Sequence, residues 1–373
     1  MTHVCFIGYG IHPPWNEGRK VISKNIIDAL KKHTDLDVSV VSSIGKEDER
    51  MKGVEYARKT WLTSYTKGYD PLLDTAMIRL ISSINKRKNI DIIHLFVAHF
   101  PVFAFYAKRI GKPVIAQFFG NPHFNILKRL RVPGAVDMYI TTSIENRWSA
   151  ELGIKDIQTV NPPINTDLYK PQDKTKARRY FNLPEDKFIL LYMGNLSEVR
   201  FSPDFISETK FLREQNNLLV IAANEIDSYW QTNNNLLQEE NILLRREILS
   251  EKEKVMLYNA ADAFILPFDT KLKSYKHVFV IDPPITMLEA MSCGVPVIAP
   301  NVFSIPEIIK DGYNGYVTPL GDFERINNIS YLSKEEIEEA GINARKTILN
   351  AFSYEKVAFK MKEVYEEVLN LNG

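Results

Sequence analysis

Short runs of apolar, β-branched residues recur along this chain, and stretches with helical periodicity lie between them. Residues 188–193 read FILLYM and residues 295–299 read VPVIA. A strand that is apolar on both faces belongs in a parallel sheet covered by helices on both sides. The first such unit runs from an apolar strand at 3–8, through a glycine-containing loop and a helix at 19–33, to a strand at 37–42. This order predicts an α/β fold of the nucleotide-binding kind.

Length and cysteine content narrow the class further. The 373 residues predict two domains, and the 45% hydrophobic and 25% charged content is ordinary for a folded globular protein. Cys5 and Cys293 lie far apart in the sequence, so we expect no disulfide framework and a reducing, cytoplasmic location. We also expect no signal peptide, since Arg19 and Lys20 follow the first apolar run instead of preceding it.

The net charge of +1 conceals an uneven distribution. Residues 1–170 hold 24 Lys and Arg against 16 Asp and Glu, a net charge of +8, whereas the other residues hold 23 against 30, a net charge of −7. A basic first half suits an anionic acceptor or an anionic lipid surface. The alternative is an uneven scatter of solvated lysines. We therefore expect a cytoplasmic protein, with peripheral contact at the inner face of the membrane as the further option, and no nucleic-acid partner.

The stretch 282–322 carries the most specific chemistry in the chain. It begins DPPITMLEAMSCGVPVIAPN, in which Asp282 is suited to cap a helix over 285–292 that Gly294 ends. Glu289 then falls in the middle of a short helix between two strands, where a carboxylate needs a partner. A helix N-terminus with an acid behind it suits a ligand that carries phosphate and hydroxyl groups. An exposed, solvated acid is the alternative interpretation.

The same stretch resembles the nucleotide-sugar-binding segment of the family-four glycosyltransferases. The matching words are LEAMSCGVPVIAPN, IPEIIKDGYNGYV and PLGD, in that order, and a weaker likeness covers nearly the whole chain. The resemblance implies the GT-B architecture, in which two doubly wound Rossmann-like domains face each other across a cleft. We predict an acceptor-side domain at 1–167, a nucleotide-sugar-binding domain at 168–353, and a last helix at 354–373 that packs back onto the first domain.

The resemblance also implies residues that bind the donor. By position, Glu289 binds the nucleotide ribose, and Gly18 lets the backbone approach the donor phosphates. In the second domain the family has a Gly-Arg pair and, five positions after that Arg, a Lys that binds the diphosphate. The chain has Asn195 and Arg200 at those two positions, and for Gly18 and Arg200 the alternatives are a plain turn glycine and a solvated loop charge. The predicted donor-binding set is Gly18, Arg19, Gly194, Asn195, Arg200, Pro284, Ile285, Thr286 and Glu289.

The chain departs from the family pattern at positions near the reacting sugar. The family's earlier Glu, eight positions before the ribose-binding one, is Ile281 here, and the nearest acid is Asp282, which we predict to hold sugar hydroxyls. The family's usual His at the end of the strand over 114–119 is Phe119 here. His99 and His123 are candidates on nearby loops, although a lone His is more often structural. The predicted catalytic set is therefore Asp282, His99 and His123.

A basic connection precedes Asp282. Residues 267–280 follow the predicted strand DAFIL and carry Lys271, Lys273, Lys276 and His277. This connection is longer and more basic than the short loop of the family. We expect it to reach the donor phosphates or the acceptor, unless it is a surface insertion.

Together these features predict a glycosyltransferase that moves a sugar from a UDP- or GDP-sugar to an acceptor hydroxyl of a glycan, a lipid-linked acceptor or a polysaccharide. The resemblance implies retention of the anomeric configuration. We recognise no metal motif such as H-E-x-x-H, so we expect no metal and no cofactor besides the donor substrate. Two alternatives remain. One is a catalytically degenerate GT-B protein that binds a sugar nucleotide or a partner without turnover, and the other is a sugar-nucleotide epimerase of GT-B shape.

Overall fold

The chain divides into two compact units. The computed structural model describes residues 1–45, 48–60, 70–96, 100–119, 135–143, 157–273 and 281–372. Unit 1 comprises Met1–Pro163, Phe279–Asp282 and Tyr354–Gly373, and unit 2 comprises Ile164–Val278 and Pro283–Ser353. The chain thus enters unit 2 at Ile164, whose N–H donates to Phe352 O at 2.7 Å, whereas the boundary predicted from the sequence lies at Asp167.

Unit 1 contains a sheet of seven described strands, all paired in parallel, in the order β3-β2-β1-β4-β5-β6-β7. In chain order these strands are His3–Tyr9, Asp37–Ile44, Glu55–Arg58, Ile92–Phe96, Val114–Phe118, Met138–Thr141 and Ile157–Thr159. The described helices are α1 at Gly18–His33, α2 at Pro71–Lys88, α3 at Phe100–Arg109 and, from the far end of the chain, α12 at Tyr354–Asn372. The strand order reverses direction between β1 and β4, as in a doubly wound sheet.

Unit 2 contains a second parallel sheet, of six described strands in the order β10-β9-β8-β11-β12-β13. From β8 to β13 these are Phe188–Met193, Asn217–Ala222, Ile242–Arg245, Ala263–Ile265, Val297–Pro300 and Gly315–Thr318. Its α-helices, α4 to α11, are Lys174–Tyr180, Pro203–Glu208, Ser228–Thr232, Glu251–Ala260, Ile285–Ser292, Ile305–Ile308, Glu324–Asn327 and Lys334–Ala351. Short 3-10 turns lie at Phe211–Arg213, Asn234–Leu237, Thr270–Lys273 and Ile329–Tyr331.

Each sheet has its own apolar core. Strand β4 is buried at every position, and so is β9, as expected for strands covered by helices on both faces. Among the described residues, the largest fully buried side chain is Trp230, which packs on Phe201 with ring centroids 5.6 Å apart. The edge strands β3, β7 and β10 are short and largely half-buried. The weak apolar signal of β3 explains why the sequence did not predict it.

Helix α12 completes unit 1 by packing on α1. The Asn25 side chain of α1 donates to Pro163 O at 2.9 Å and accepts the Tyr354 hydroxyl at 2.8 Å. Further along α12, the hydroxyl of Tyr365 lies 2.9 Å from Nδ1 of His94, and Nε2 of that imidazole lies 3.0 Å from Oε1 of Gln117. Because the amide oxygen accepts, Nε2 carries the proton and Nδ1 accepts from the tyrosine. The imidazole is therefore neutral, and burial lowers the pKa of His94 to about 3.

Candidate functional site

The loop after β8 carries the predicted diphosphate-binding residues in unit 2. The N–H of Gly194 continues the sheet by donating to Ala222 O at 3.1 Å. The next residue, Asn195, donates its side-chain amide to Oε2 of Glu225 at 2.5 Å, and its carbonyl accepts the Tyr192 hydroxyl at 2.8 Å. The residue at the family's cationic position is thus a neutral amide held by an acid.

Arg200 closes the same loop as a tight turn. Its N–H donates to Ser197 O at 3.0 Å, and the buried Phe201 that follows anchors the turn in the core of unit 2. The Arg200 side chain is half-buried. Burial raises the pKa of the Tyr192 hydroxyl well above its ordinary value, and the positive charge of Arg200 opposes that shift. Arg200 therefore places one guanidinium at the carboxyl end of β8, where ligands bind in open parallel sheets.

Helix α8 covers the predicted residues 285–292, but the residue at its N-cap differs from the prediction. Pro284 occupies the N-cap position without a side-chain cap bond, and the helix runs over Ile285–Ser292. The prediction that Asp282 caps this helix is therefore wrong. The backbone N–H groups of Ile285 and Thr286 lie in its first turn, where no intrahelical acceptor exists for them by construction.

Glu289 lies inside unit 2 with two tyrosines around its carboxylate. Its exposure is 2%, Oε2 accepts the Tyr258 hydroxyl at 2.8 Å, and the Tyr169 hydroxyl makes a second hydrogen bond. Burial raises the pKa of Glu289 above its ordinary value, while the charge of Lys254 and the two tyrosine bonds oppose that shift. The acid has the partners that the sequence required of it, and they are protein groups.

The predicted phosphate loop of unit 1 starts α1. Gly18 is the first helical residue, after Glu17 at the N-cap, and the Arg19 guanidinium pairs with Glu17, with Nε 2.6 Å from Oε1. Lys20 points back into the loop, with Nζ 3.4 Å from His12 O, and burial lowers its pKa. The sequence did not single out His12, which is buried with Nε2 3.2 Å from Oδ2 of Asp48. No local pattern marks this pair, because its members come from separate loops.

Asp282 belongs to unit 1 and is buried there. Its carboxylate accepts a hydrogen bond from the Ser143 hydroxyl, and its carbonyl accepts the Thr142 hydroxyl at 2.7 Å. Both hydroxyls follow directly after β6. These contacts explain why Asp282 does not cap α8, since its oxygens already accept bonds from another element.

The other two predicted catalytic residues, His99 and His123, lie outside the described residues. Phe119, at the end of β5, stands where the family has its usual histidine. Its ring is buried and lies 5.4 Å from the ring of Phe96 between centroids. That position therefore supplies an apolar wall in place of a proton-transferring group.

Neither a metal-binding cluster nor a membrane-spanning helix is found among the described residues. Among the described ranges, no group of three or more His, Cys, Asp and Glu side chains is placed to hold a metal ion. No helix within the part of the chain that the structure covers is both long enough and apolar enough to span a membrane.

Comparison with known proteins extends the resemblance. The family model described as "Glycosyl transferases group 1" matches residues 173–347. N-acetyl-alpha-D-glucosaminyl L-malate synthase of Bacillus anthracis is 26% identical over 337 residues, 84% of this chain and 84% of that protein. Anabaena Alr3699/HepE in complex with UDP-glucose superposes with a TM-score of 0.76 at 14% identity, over 98% of this chain and 100% of that chain. Sucrose-phosphate synthase (tll1590) of Thermosynechococcus elongatus gives 0.75 at 15% identity, over 100% of both chains. The structural likenesses confirm the predicted GT-B fold class.

Proposed function

We propose that the chain is a group 1 glycosyltransferase that transfers a sugar from a nucleotide-sugar donor to an acceptor hydroxyl. The proposal is supported by the position of the family match along the chain and by the ligand of one structural neighbour. The family match at residues 173–347 covers the whole of the predicted donor site of unit 2, from the loop at Gly194 to Glu289. The structural neighbour Alr3699/HepE holds UDP-glucose, which favours a UDP-sugar as the donor, with a GDP-sugar as the other option.

Among the described residues of unit 2, the Arg200 guanidinium and the first turn of α8 are suited to a diphosphate. Arg200 forms forked, charge-assisted hydrogen bonds to phosphate oxygens. The first N–H groups of α8, at Ile285 and Thr286, add the positive end of the helix dipole. Backbone at Gly194 approaches the phosphates closely, and Gly18 and Arg19 at the start of α1 play the matching role for unit 1. We propose that Glu289 binds the ribose.

The proposed reaction breaks the bond between the anomeric carbon and the phosphate oxygen and forms one to the acceptor oxygen. The configuration is retained. The acceptor's proton passes to the leaving phosphate, so no protein base is required, and charge on the leaving diphosphate is stabilised by Arg200 and the start of α8. Asp282, with His99 and His123 as further candidates, orients sugar hydroxyls. The proposal needs no metal and no cofactor besides the donor.

The acceptor and its location belong to the same proposal. The acceptor is a glycan, a polysaccharide or a lipid-linked sugar in the cytoplasm, and the net charge of +8 on residues 1–170 supports an anionic acceptor or a lipid surface. Several of these cations are already engaged within unit 1. Lys88, for example, pairs with Asp37 at 3.0 Å.

A second candidate function rests on a specific observation. Asn195 replaces the family's first phosphate-binding cation, and its amide is held by Glu225. Phe119 replaces the usual histidine with a buried ring. Both changes favour a degenerate GT-B protein that binds a sugar nucleotide without turnover.

Calorimetry and product analysis with a panel of UDP- and GDP-sugars separate these functions. We expect binding of one donor, slow release or transfer of its sugar, and retention seen by NMR of the product. Lipid-linked and water-soluble acceptors, compared in the same assay, identify the acceptor class. Binding without any turnover supports the degenerate protein, and a panel with neither binding nor turnover eliminates both candidates.

A further inference from the structure

The described start of the basic connection, residues 267–273, lies beside the predicted phosphate loop of unit 2, whereas Lys276 and His277 lie outside the described residues. The N–H of Ser202 donates to Pro267 O at 2.8 Å, and the N–H of Asp269 donates to Val199 O at 3.0 Å. Ser202 Oγ also donates to Oδ2 of Asp269 at 2.7 Å. These three bonds hold the start of the connection beside the turn that carries Arg200.

Asp269 then directs the next residue of interest. Its carboxylate is 3% exposed, and Oδ1 accepts the backbone N–H of Lys271 at 2.8 Å. This bond sets the start of the 3-10 turn Thr270–Lys273. From that turn the Lys271 ammonium pairs with the Glu198 carboxylate, on the loop two residues before Arg200. A buried acid on one segment thus positions an exposed cation next to the other.

The loop after β8 has the neutral Asn195 where the family has a cation, and the cation of Lys271 lies next to this loop from another segment. Asn195 is neutral and bonded to Glu225, so the loop itself contributes Arg200 alone to a diphosphate. The Lys271 side chain is 54% exposed and that of Glu198 is 23% exposed. An exposed ion pair contributes little to stability, so exchange of its partner costs little. A diphosphate carries more negative charge than one carboxylate and competes well for the ammonium group.

We propose that Lys271 is the second cation for the donor diphosphate, replacing the arginine that the chain lacks at position 195. Glu198 holds the ammonium group while the site is empty and releases it when the phosphates arrive. The inference rests on the proposed function, because it assumes that Arg200 binds the donor diphosphate beside Lys271.

Calorimetric titration with UDP, GDP and the nucleosides uridine and guanosine tests the assignment on the full chain. We expect Lys271→Gln to weaken binding of the nucleoside diphosphate about tenfold and to leave nucleoside binding unchanged, since nucleosides lack phosphates. Glu198→Gln should tighten diphosphate binding about threefold, because the ammonium group no longer has a competing acceptor. Lys334→Gln is the matched control. It removes an exposed lysine that pairs with Glu338 at 3.6 Å on helix α11, and it should bind like the wild type.

The outcomes distinguish the inference from the function. If the wild type binds UDP or GDP and the variants at Lys271 and Glu198 bind it equally well, Lys271 is a surface residue and the inference is overturned while the function stands. Equal weakening of nucleoside and diphosphate binding by Lys271→Gln also overturns it, since the effect is then not on phosphate. A wild type that binds neither diphosphate nor nucleotide sugar removes both.

Discussion

Glu289 is a buried acid for which we propose two roles, one in the stability of unit 2 and one in ribose binding. Its carboxylate accepts the Tyr258 hydroxyl and bonds Tyr169, so it links α7, α8 and the segment after β7. The proposed ribose contact uses the same oxygens. A ribose must therefore share them with the tyrosines or displace one of them.

The first prediction separates these roles with two substitutions at Glu289. The resemblance alone predicts that Glu289→Ala weakens nucleotide binding with little loss of melting temperature. The contacts revise the second part: alanine leaves the Tyr258 hydroxyl buried without this acceptor and opens a cavity, so we expect weaker nucleotide binding together with a loss of stability of about 2–4 kcal/mol. Glu289→Gln keeps the shape and an acceptor oxygen. Calorimetry and thermal melting of both variants are the measurements, and an alanine variant with wild-type nucleotide affinity would rule out the ribose contact.

The pH dependence of the glutamine variant provides an independent check. Because burial raises the pKa of Glu289 in the folded protein, its stabilising contribution is complete below the unfolded pKa and is lost as pH rises. Glutamine does not titrate. We therefore expect Glu289→Gln to gain stability relative to the wild type from about pH 4 upward, measured as the difference in free energy of unfolding. A constant difference across that range contradicts the raised pKa.

At the scale of elements, α12 is tied to the sheet of unit 1 by the His94 imidazole. The neutral ring accepts from Tyr365 and donates to Gln117, and it stacks on Phe6 with centroids 4.7 Å apart. A protonated ring has two N–H donors and loses the bond that it accepts from Tyr365. Protonation of His94 at low pH therefore weakens the attachment of α12 to the sheet of unit 1.

The second prediction concerns this join. The pKa of His94 is lowered to about 3, so its contribution to stability is complete above the unfolded pKa and is lost as pH falls through the interval below it. Between pH 7 and pH 4.5 we expect the wild type to lose about 3 kcal/mol more than His94→Gln. Native-state hydrogen exchange of amides in β4 and α12 measures it. Tyr365→Phe is the control, since it lowers stability but keeps the titrating ring, and an identical slope in wild type and His94→Gln would contradict the assignment.

Elements with strong local patterns could be predicted from the sequence, whereas contacts between distant segments could not. The apolar run at Phe188–Met193 and the helix predicted at 19–33 appear where their patterns indicate. The GT-B class followed from the ordered words around Glu289. The partners of that acid could not be foreseen, because Tyr258 and Tyr169 lie 31 and 120 positions away in the chain. The N-cap of α8 was predicted wrongly for the same reason, since Ser143 and Thr142 bind Asp282 from another part of the sequence.

At the scale of the whole molecule, the two units differ in how they are assembled from the chain. Unit 2 is built from residues 164–353 apart from a short excursion, whereas unit 1 needs residues 354–373 as well as 1–163. The side chains of α12 that are at most 1% exposed are Ala358, Met361, Val364, Tyr365 and Val368. Without α12, the face of α1 that packs on it meets water.

The third prediction follows from this difference. We expect a fragment of residues 164–353 to unfold cooperatively on heating, and a fragment of residues 1–163 to lack a cooperative transition, because its α1 has no helix α12 to cover it. Joining residues 354–373 to 1–163 through a flexible linker should restore the transition. Circular dichroism melting of the three fragments is the measurement. A cooperative transition of residues 1–163 alone would show that α12 is dispensable for unit 1.

Helix α12 also has a consequence for the order of events during synthesis. The ribosome makes α1 early, yet the partner that α1 packs against emerges only after all of unit 2 has been translated. At a synthesis rate of several residues per second, the apolar face of α1 therefore stays uncovered for more than about ten seconds. We therefore expect chaperones to bind the nascent chain at unit 1 until α12 has been synthesised.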